Sequence, residues 1–293
     1  MWYNKKEVFG MKKKRRIVLS MLAALLLAGA IWIWIDNSRI VTTRYTVTNG
    51  KVPDAFDGFV IAQVSDLHNA AFGEGNARLL NALAEAEPDI IVITGDLIDS
   101  RRTDVETAAA FAEAAVTIAP VYYVAGNHEG RVPEAAAALE KRMTAAGVHI
   151  LHNEGVTVSR GGAEIDILGL DDPSGTETDG LSADEIAAMT EQGRFTVLLS
   201  HRPDLFARYC ASGVDLVFSG HAHGGQIRLP LFGGLFAPHQ GFFPDYTQGC
   251  YTENGTTMVV SRGLGNSLFP FRVNNPPELV VVCLHRNQGL AQN

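Results

Sequence analysis

Two histidines at alternate positions stand directly behind a glycine in Ser219-Gly220-His221-Ala222-His223. Alternate side chains of an extended backbone share a face, so both imidazoles can aim at one point. Imidazole is the commonest metal-ligating side chain, and the glycines around the pair let backbone pass close to an ion. Such a pair is weak evidence alone, but the same pattern recurs upstream. Asp66 and His68 follow an apolar run at 58–64, and Asp96 follows one at 89–94. Asn127 and His128 follow 121–125, and His201 follows 195–200. A carboxylate after a strand is ordinarily a helix cap. Caps do not call for histidine, however, and five of the nine histidines fall at these strand ends.

One carboxylate, two or three imidazoles and an amide oxygen around each ion suit Mn, Fe or Zn. Asp96 is the natural bridge, because a carboxylate has two oxygens to share between two ions. Two divalent ions roughly 3.5–4 Å apart lower the pKa of a shared water and clamp both oxygens of an in-line displacement. That is chemistry for hydrolysing a phosphate ester. His128 is placed to protonate or stabilise the departing oxygen, with Asp99 as its orienting partner. Arg101, Arg102 and Arg131 lie just past these loops; Arg101 and Arg131 are the candidates to hold substrate phosphate, with surface solvation the competing reading.

The elements that would position these groups alternate. Helical periodicity at 75–87, 103–118, 133–146, 182–192 and 204–211 separates the apolar runs, and Pro133 and Gly147 frame one helix. Alternation of this kind implies an α/β core with sites beyond the carboxyl ends of the strands. The middle of the chain and its C-terminal part, 251–252, 256–261 and 279–284, read as more purely β. The expected architecture is two packed sheets with helices on their outer faces.

The 293 residues, 46% hydrophobic and 19% charged, suit one large domain with an appendage. Net charge is −8, although Lys12, Lys13, Lys14, Arg15 and Arg16 sit together near the start. An acidic body argues against a nucleic-acid partner. Three scattered cysteines, Cys210, Cys250 and Cys283, offer neither a disulfide framework nor a metal knuckle. Residues 17–35 carry no charge and match a hydrocarbon core of about 30 Å. Trp32 and Trp34 lie near the far end, where indoles favour the interface, and the basic cluster belongs in the cytoplasm by the positive-inside rule. The expectation is a single-pass anchor in the cell membrane with the body outside the cytoplasm. Ala28-Gly29-Ala30 keeps a cleaved signal peptide as the alternative, and Arg15-Arg16-Ile17-Val18-Leu19 resembles a twin-arginine export signal.

In order, Asp66-Leu67-His68, Gly95-Asp96, Gly126-Asn127-His128-Glu129, His201 and Gly220-His221-Ala222-His223 resemble the signature of the calcineurin-like metallophosphoesterases, over about 59–284. The segments 224–230, 261–265 and 276–278 are similar to the bacterial membrane-associated branch of YkuE and YaeI type. The resemblance implies a four-layer αββα sandwich of two mixed sheets flanked by helices. It implies one ion held by Asp66, His68, Asp96 and His223, a second by Asp96, Asn127, His201 and His221, and His128 as the catalytic group. The activity implied is that of a phosphodiesterase working by in-line attack of a metal-bridging hydroxide. The alternatives are hydrolysis of a lipid-linked pyrophosphate and a catalytically silent envelope scaffold. The division expected is a basic cytoplasmic N-terminus at 1–16, a transmembrane helix at 17–35, a linker and lead-in strand at 36–57, the phosphoesterase domain at 58–286 and a tail at 287–293, in a monomer.

Several features have plainer readings. His149, His152, His239 and His285 fall outside the signature and are expected to be structural or solvated. Gly73-Glu74-Gly75-Asn76-Ala77-Arg78 begins like a dinucleotide loop, but its strand end is already taken by Asp66 and His68. The apolar, glycine-rich stretches 231–238 and 242–244 pack on the sheet or face lipid.

Overall fold

Apolar residues without polar relief set the first element. The computed structural model describes residues 5–175, 179–266 and 269–287, with backbone only at 5–11 and 175; the expected tail beyond 287 lies outside the described residues. Over residues 17–35, helix α1 (Lys5–Ser38) keeps its apolar side chains out of the protein body. Its stretch Lys12–Ser38 is the one helix, among the described residues, long and apolar enough to cross a membrane. At 1.5 Å per residue that stretch is roughly 40 Å long.

Two six-stranded sheets form the body. The first runs β1 (Val41–Asn49), β16 (Glu278–Arg286), β2 (Val60–Val64), β3 (Ile90–Thr94), β4 (Val121–Val124) and β5 (His149–Ile150). Strands β2 to β5 are parallel, joined by α2 (Ala77–Glu85), α3 (Val105–Ala115) and α5 (Pro133–Ala146). The second runs β14 (Gly249–Glu253), β15 (Thr256–Val260), β9 (Leu216–Ser219), β8 (Phe195–Leu199), β7 (Ala163–Gly169) and β6 (Glu154–Arg160). Its four inner strands are parallel and its edge strands antiparallel. Helices α6 (Ala183–Ala188) and α7 (Phe206–Ser212) cover its outer face, and the one-turn α4 (Asn127–Gly130) follows β4.

Side-chain alternation along the strands explains the layers. Ile61, Val92, Val124, Val197, Leu199 and Phe218 face the space between the sheets. Their neighbours Ala62, Ile91, Ile93 and Tyr123 pack under α2, α3 and α5. Leu198 and Val217 pack under α6 and α7. The expected αββα sandwich is therefore the observed one.

Several elements differ from expectation in extent, α3 and α6 being shorter than the expected 103–118 and 182–192. The lead-in strand is an edge strand of the first sheet, in parallel register with β16 from Val41↔Glu278 to Asn49↔Arg286. The helix expected from 75 starts at Ala77, because Gly75 and Asn76 stand in the left-handed region while Asn76 Oδ1 accepts from Phe72 N. Between β9 and β14 the chain makes two small ladders, β10 (Arg228–Leu229) with β11 (Gly233–Gly234) and β12 (Phe236–Ala237) with β13 (Gly241–Phe242).

Candidate metal centre

The two sheets meet where their parallel strands end, and buried hydrogen bonds hold that junction. Gln63 Nε2, on β2, donates to Thr94 Oγ1 and to Ser219 O of the second sheet, both at 2.9 Å. His201, just past β8, contacts Thr94 O through Nδ1 at 2.7 Å. A carbonyl can only accept, so that nitrogen carries the hydrogen and Nε2 faces the junction. Asp66 accepts from His221 N at 3.1 Å and from Ser65 Oγ at 2.7 Å. The Asp96 carboxylate accepts from His128 N at 2.8 Å. Asp66, His68, Asp96, His221 and His223 all stand in the left-handed region, with φ between 47° and 66°. Such conformations cost about 1–3 kcal/mol each and persist at sites where the surroundings impose them.

Those five side chains, with Asn127 at the start of α4 and His201 just past β8, converge on one spot. Asp66, His68, Asp96 and His223 offer ligand atoms all within 4.8 Å of one another, and so do Asp96, His201 and His221. Asp96 belongs to both groups. Its Oδ2 lies 3.5 Å from His68 Nε2 and 3.3 Å from His201 Nε2. Asn127 Oδ1 is 3.2 Å from His201 Nε2, and His221 Nδ1 is 3.1 Å from the same atom. Buried carboxylates, imidazoles and an amide oxygen converging without matching donors suit borderline divalent ions.

The sequence profile of the calcineurin-like phosphoesterases matches residues 59–225, which contain every one of these groups. This chain belongs to that family. The metallophosphoesterase YkuE of Bacillus subtilis is 32% identical over 286 residues, covering 93% of this chain and 98% of YkuE. The phosphodiesterase YaeI of Escherichia coli is 28% identical, covering 77% of this chain and 82% of YaeI. A bovine transmembrane protein with a metallophosphoesterase domain is 26% identical, covering 97% of this chain and 66% of that protein. The chain is thus a metal-dependent phosphoester hydrolase, with the sandwich fold of its family.

The charge balance of this phosphoesterase centre favours a cation. Burial drives His68 and His223 down to about 3 and His221 well below its ordinary value, so all three present neutral lone pairs at pH 7. Burial also opposes a proton on His201, but Asp96 and then Asp66 outweigh it and raise that imidazole well above its ordinary value. Burial works against the charge of Asp96 too, yet His201, His68 and His128 hold it well below the carboxylate range. The metal-free protein therefore keeps a proton where an ion would sit. Burial raises the Asp66 carboxyl as well, so metal loading should release protons and affinity should rise with pH. Calorimetry in buffers of different ionisation enthalpy measures that release; buffer-independent heats would contradict it.

His128 lies at the rim. Ser100 N donates to its Nδ1 at 3.0 Å, so Nε2 carries the hydrogen and points inward, 4.0 Å from Asp96 Oδ2. The expected orienting partner Asp99 is 3.7 Å from Nδ1, beyond a hydrogen bond, and its Oδ1 instead accepts from Arg101 N at 2.8 Å. Arg101 and Arg131 line a cavity of about 250 Å³ together with Asp96, Asn127, His128 and His221.

Three supporting residues escaped sequence reasoning. Glu129 sits beneath the loops and accepts from Asp96 N, Ile98 N and Gly126 N. Burial and Asp96 push its carboxyl up to about 7. Its place in the signature was visible, but not its task. Arg272 is fully buried, donating to Arg262 O, Gly265 O and Asn266 Oδ1, with Nη2 3.2 Å from His223 Nδ1. No motif marks it. His239 was expected to be structural or solvated, yet its Nδ1 is 2.8 Å from His221 Nε2. The other three histidines stay away from the centre: His149 stacks on Tyr122, His152 meets Asp171 and Glu140, and His285 meets Asp57.

Gly220 is needed for its lack of a side chain. A Cβ there would overlap Ser65 Oγ and Asp66 Oδ2. Gly220→Ala should lower stability by about 1–3 kcal/mol, as overpacking does, and lower metal retention with it. Thermal denaturation and metal analysis of one preparation check both.

Proposed function

We propose that this phosphoesterase is a phosphodiesterase that works with two divalent ions of the Mn, Fe or Zn type, held to a membrane by α1 with its body outside the cytoplasm. The observation that carries the reading is the sharing of Asp96 between two buried ligand groups. Asp66, His68, Asp96 and His223 would hold one ion; Asp96, Asn127, His201 and His221 would hold the other. The amide of Asn127 supports this assignment. In the metal-free protein its oxygen accepts from the protonated His201 Nε2 at 3.2 Å; once an ion displaces that proton, His201 and His221 are both acceptors, and the amide turned over would donate to His221 Nδ1 at 2.8 Å and accept from both Arg131 Nη atoms at 3.1 Å. A cation among these atoms favours the first orientation.

When bound, a pair of such ions acidifies water and neutralises phosphate charge. The protein supplies the remainder. Arg101 and Arg131 would bind the non-bridging phosphate oxygens as they enter the cavity. His128 would donate its Nε2–H to an oxygen that gains charge as the ester bond breaks. Phe236, Pro238 and Phe269 make an apolar wall on the same cavity. That wall suits an ester substituent on each side of phosphorus, hence a diester, and the name of YaeI points the same way.

The test uses the full chain in detergent with bis-p-nitrophenyl phosphate and p-nitrophenyl phosphate, under Mn, Zn, Fe or chelator. The diester should turn over at least about tenfold faster than the monoester, a gap of about 1.4 kcal/mol in barrier. Inactivity with every metal would leave a scaffold instead.

A further inference from the structure

The ladders after the last candidate ligands carry an apolar surface that nothing among the described residues covers. Leu231 is fully exposed, and Phe232, Phe242 and Phe243 are 73%, 72% and 60% exposed. The two ladders that carry them are joined at Leu235, whose N donates to Ile227 O at 2.8 Å and whose carbonyl accepts from Phe243 N at 2.9 Å, and the Phe236 and Phe242 rings pack at 5.4 Å. Soluble surfaces rarely leave such a cluster bare unless it meets a partner or lipid.

The bracing of this flap identifies what it meets. Asn37, in the last turn of α1, accepts from Arg272 N at 2.7 Å and donates to Arg272 O at 2.8 Å. Asp36 accepts from Asn275 N at 3.3 Å. Between those two anchors, Val273 bridges to Ile227 and its carbonyl accepts from Arg228 N at 2.9 Å. Gln226 Nε2 donates to Phe271 O at 2.8 Å. An unbroken set of hydrogen bonds thus joins the end of the apolar helix to the first strand of the flap. Asn37 is three residues past Trp34, roughly 4.5 Å along the axis, and indole rings mark the membrane interface.

We infer that the tip of this flap, Leu231, Phe232, Phe242 and Phe243, is a second membrane contact that seats the mouth of the candidate centre on the bilayer from which α1 emerges. The inference rests on the reading of α1 as a membrane span. The occupant is the lipid surface, since the flap continues directly from the helix exit. Phe236, on the same ladder, also lines the cavity, so the seated flap turns the cavity mouth towards lipid. A phosphoester presented at the bilayer surface would then reach the ligands without the body leaving the membrane.

Full chain reconstituted in phosphatidylcholine–phosphatidylglycerol nanodiscs provides the test. An environment-sensitive fluorophore is attached at Leu231→Cys, Leu25→Cys or Glu191→Cys in a Cys250→Ser, Cys283→Ser background, and doxyl-labelled lipid is added. Labels at 25 and 231 should be quenched at least twofold and the label at 191 left unchanged. Quenching at 25 without quenching at 231 overturns the inference and leaves the span standing. No quenching at 25 removes the span, and the inference with it. In the Phe232→Ser, Phe242→Ser, Phe243→Ser variant, quenching at 231 should fall to the level at 191 while turnover of bis-p-nitrophenyl phosphate stays. Persistence of quenching at 231 in that variant would show that these rings do not seat the flap.

Discussion

Asp96→Asn should leave a folded protein that binds at most one of the two proposed ions and has lost turnover by far more than the 10–100-fold typical of an outer-shell change at a metal site. The substitution preserves volume and one carbonyl oxygen. It removes the charge that holds the proton of His201 and that faces His68 and His128; the Nε2 atoms of His68, His201 and His128 lie 3.5, 3.3 and 4.0 Å from Asp96 Oδ2. It also places an amide N–H₂ where an ion needs a lone pair. The backbone stays anchored, because Asp96 N still donates to Glu129 Oε2 at 2.8 Å. Metal analysis and thermal denaturation with and without metal therefore read the effect cleanly. The wild type should gain stability on loading as mass action requires, and the variant should gain little. The competing account of such an aspartate is a cap, like Asp104, whose side chain accepts from Thr107 N at 3.0 Å at the start of α3. Asparagine caps a helix as well as aspartate does. A silent Asp96→Asn would therefore mean that the residue is structural and that the two ligand groups are not joined through it.

How far the chain could be read without coordinates follows from what periodicity encodes. The strand ends were legible because five apolar runs each stop at a polar ligand type. Alternation then let two sheets be inferred, and the ladder of β2 through β4 with its crossover helices shows why: each strand is buried on both faces and reads as a continuous apolar run. The sequence also separates a pair of alternate histidines from a cap. What it does not encode is which distant side chain supports which ligand. Arg272 reaches His223 across 49 residues, and Glu129 holds Asp96 and Ile98 across more than 30. Those partnerships depend on how loops fold back over the strand ends, which no local pattern specifies. His239 illustrates the limit most sharply. It lies in the turn between β12 and β13, strands of two residues each that leave no periodicity, so nothing in its neighbourhood distinguished it from a solvated side chain. Asp99 shows the converse error: nearness in sequence suggested a partner for His128, but the hydrogen bond comes from the backbone of the next residue, Ser100.

His128→Ala should retain both ions and lose about 10²–10³ in kcat, the usual cost of removing one preorganised donor from developing charge. In the role proposed for His128, the question is whether it gives up its proton or only shares it. Two observations favour sharing. Burial lowers the pKa of His128, with Asp96 and Asp99 only partly restoring it, so the ring is neutral at pH 7. Ser100 N–H, aimed at Nδ1, also opposes a second proton on the ring. A neutral imidazole with its hydrogen on Nε2 is a poor acid but a well-placed hydrogen-bond donor. Its contribution should therefore depend little on pH above its lowered pKa and fall away below it, as protonation breaks the Ser100 contact and reorients the ring. The loss on substitution should be felt by aryl and alkyl esters alike. A group that transferred its proton would be felt most by alkyl esters, whose leaving oxygens are the more basic. His128→Asn separates the two cases, since an amide can donate a hydrogen bond but not a proton. Partial recovery of turnover in the asparagine variant, with metal content equal to wild type, is the expected result. Activity no better than that of alanine on an alkyl ester, beside near-normal activity on the p-nitrophenyl ester, would assign His128 to proton transfer instead.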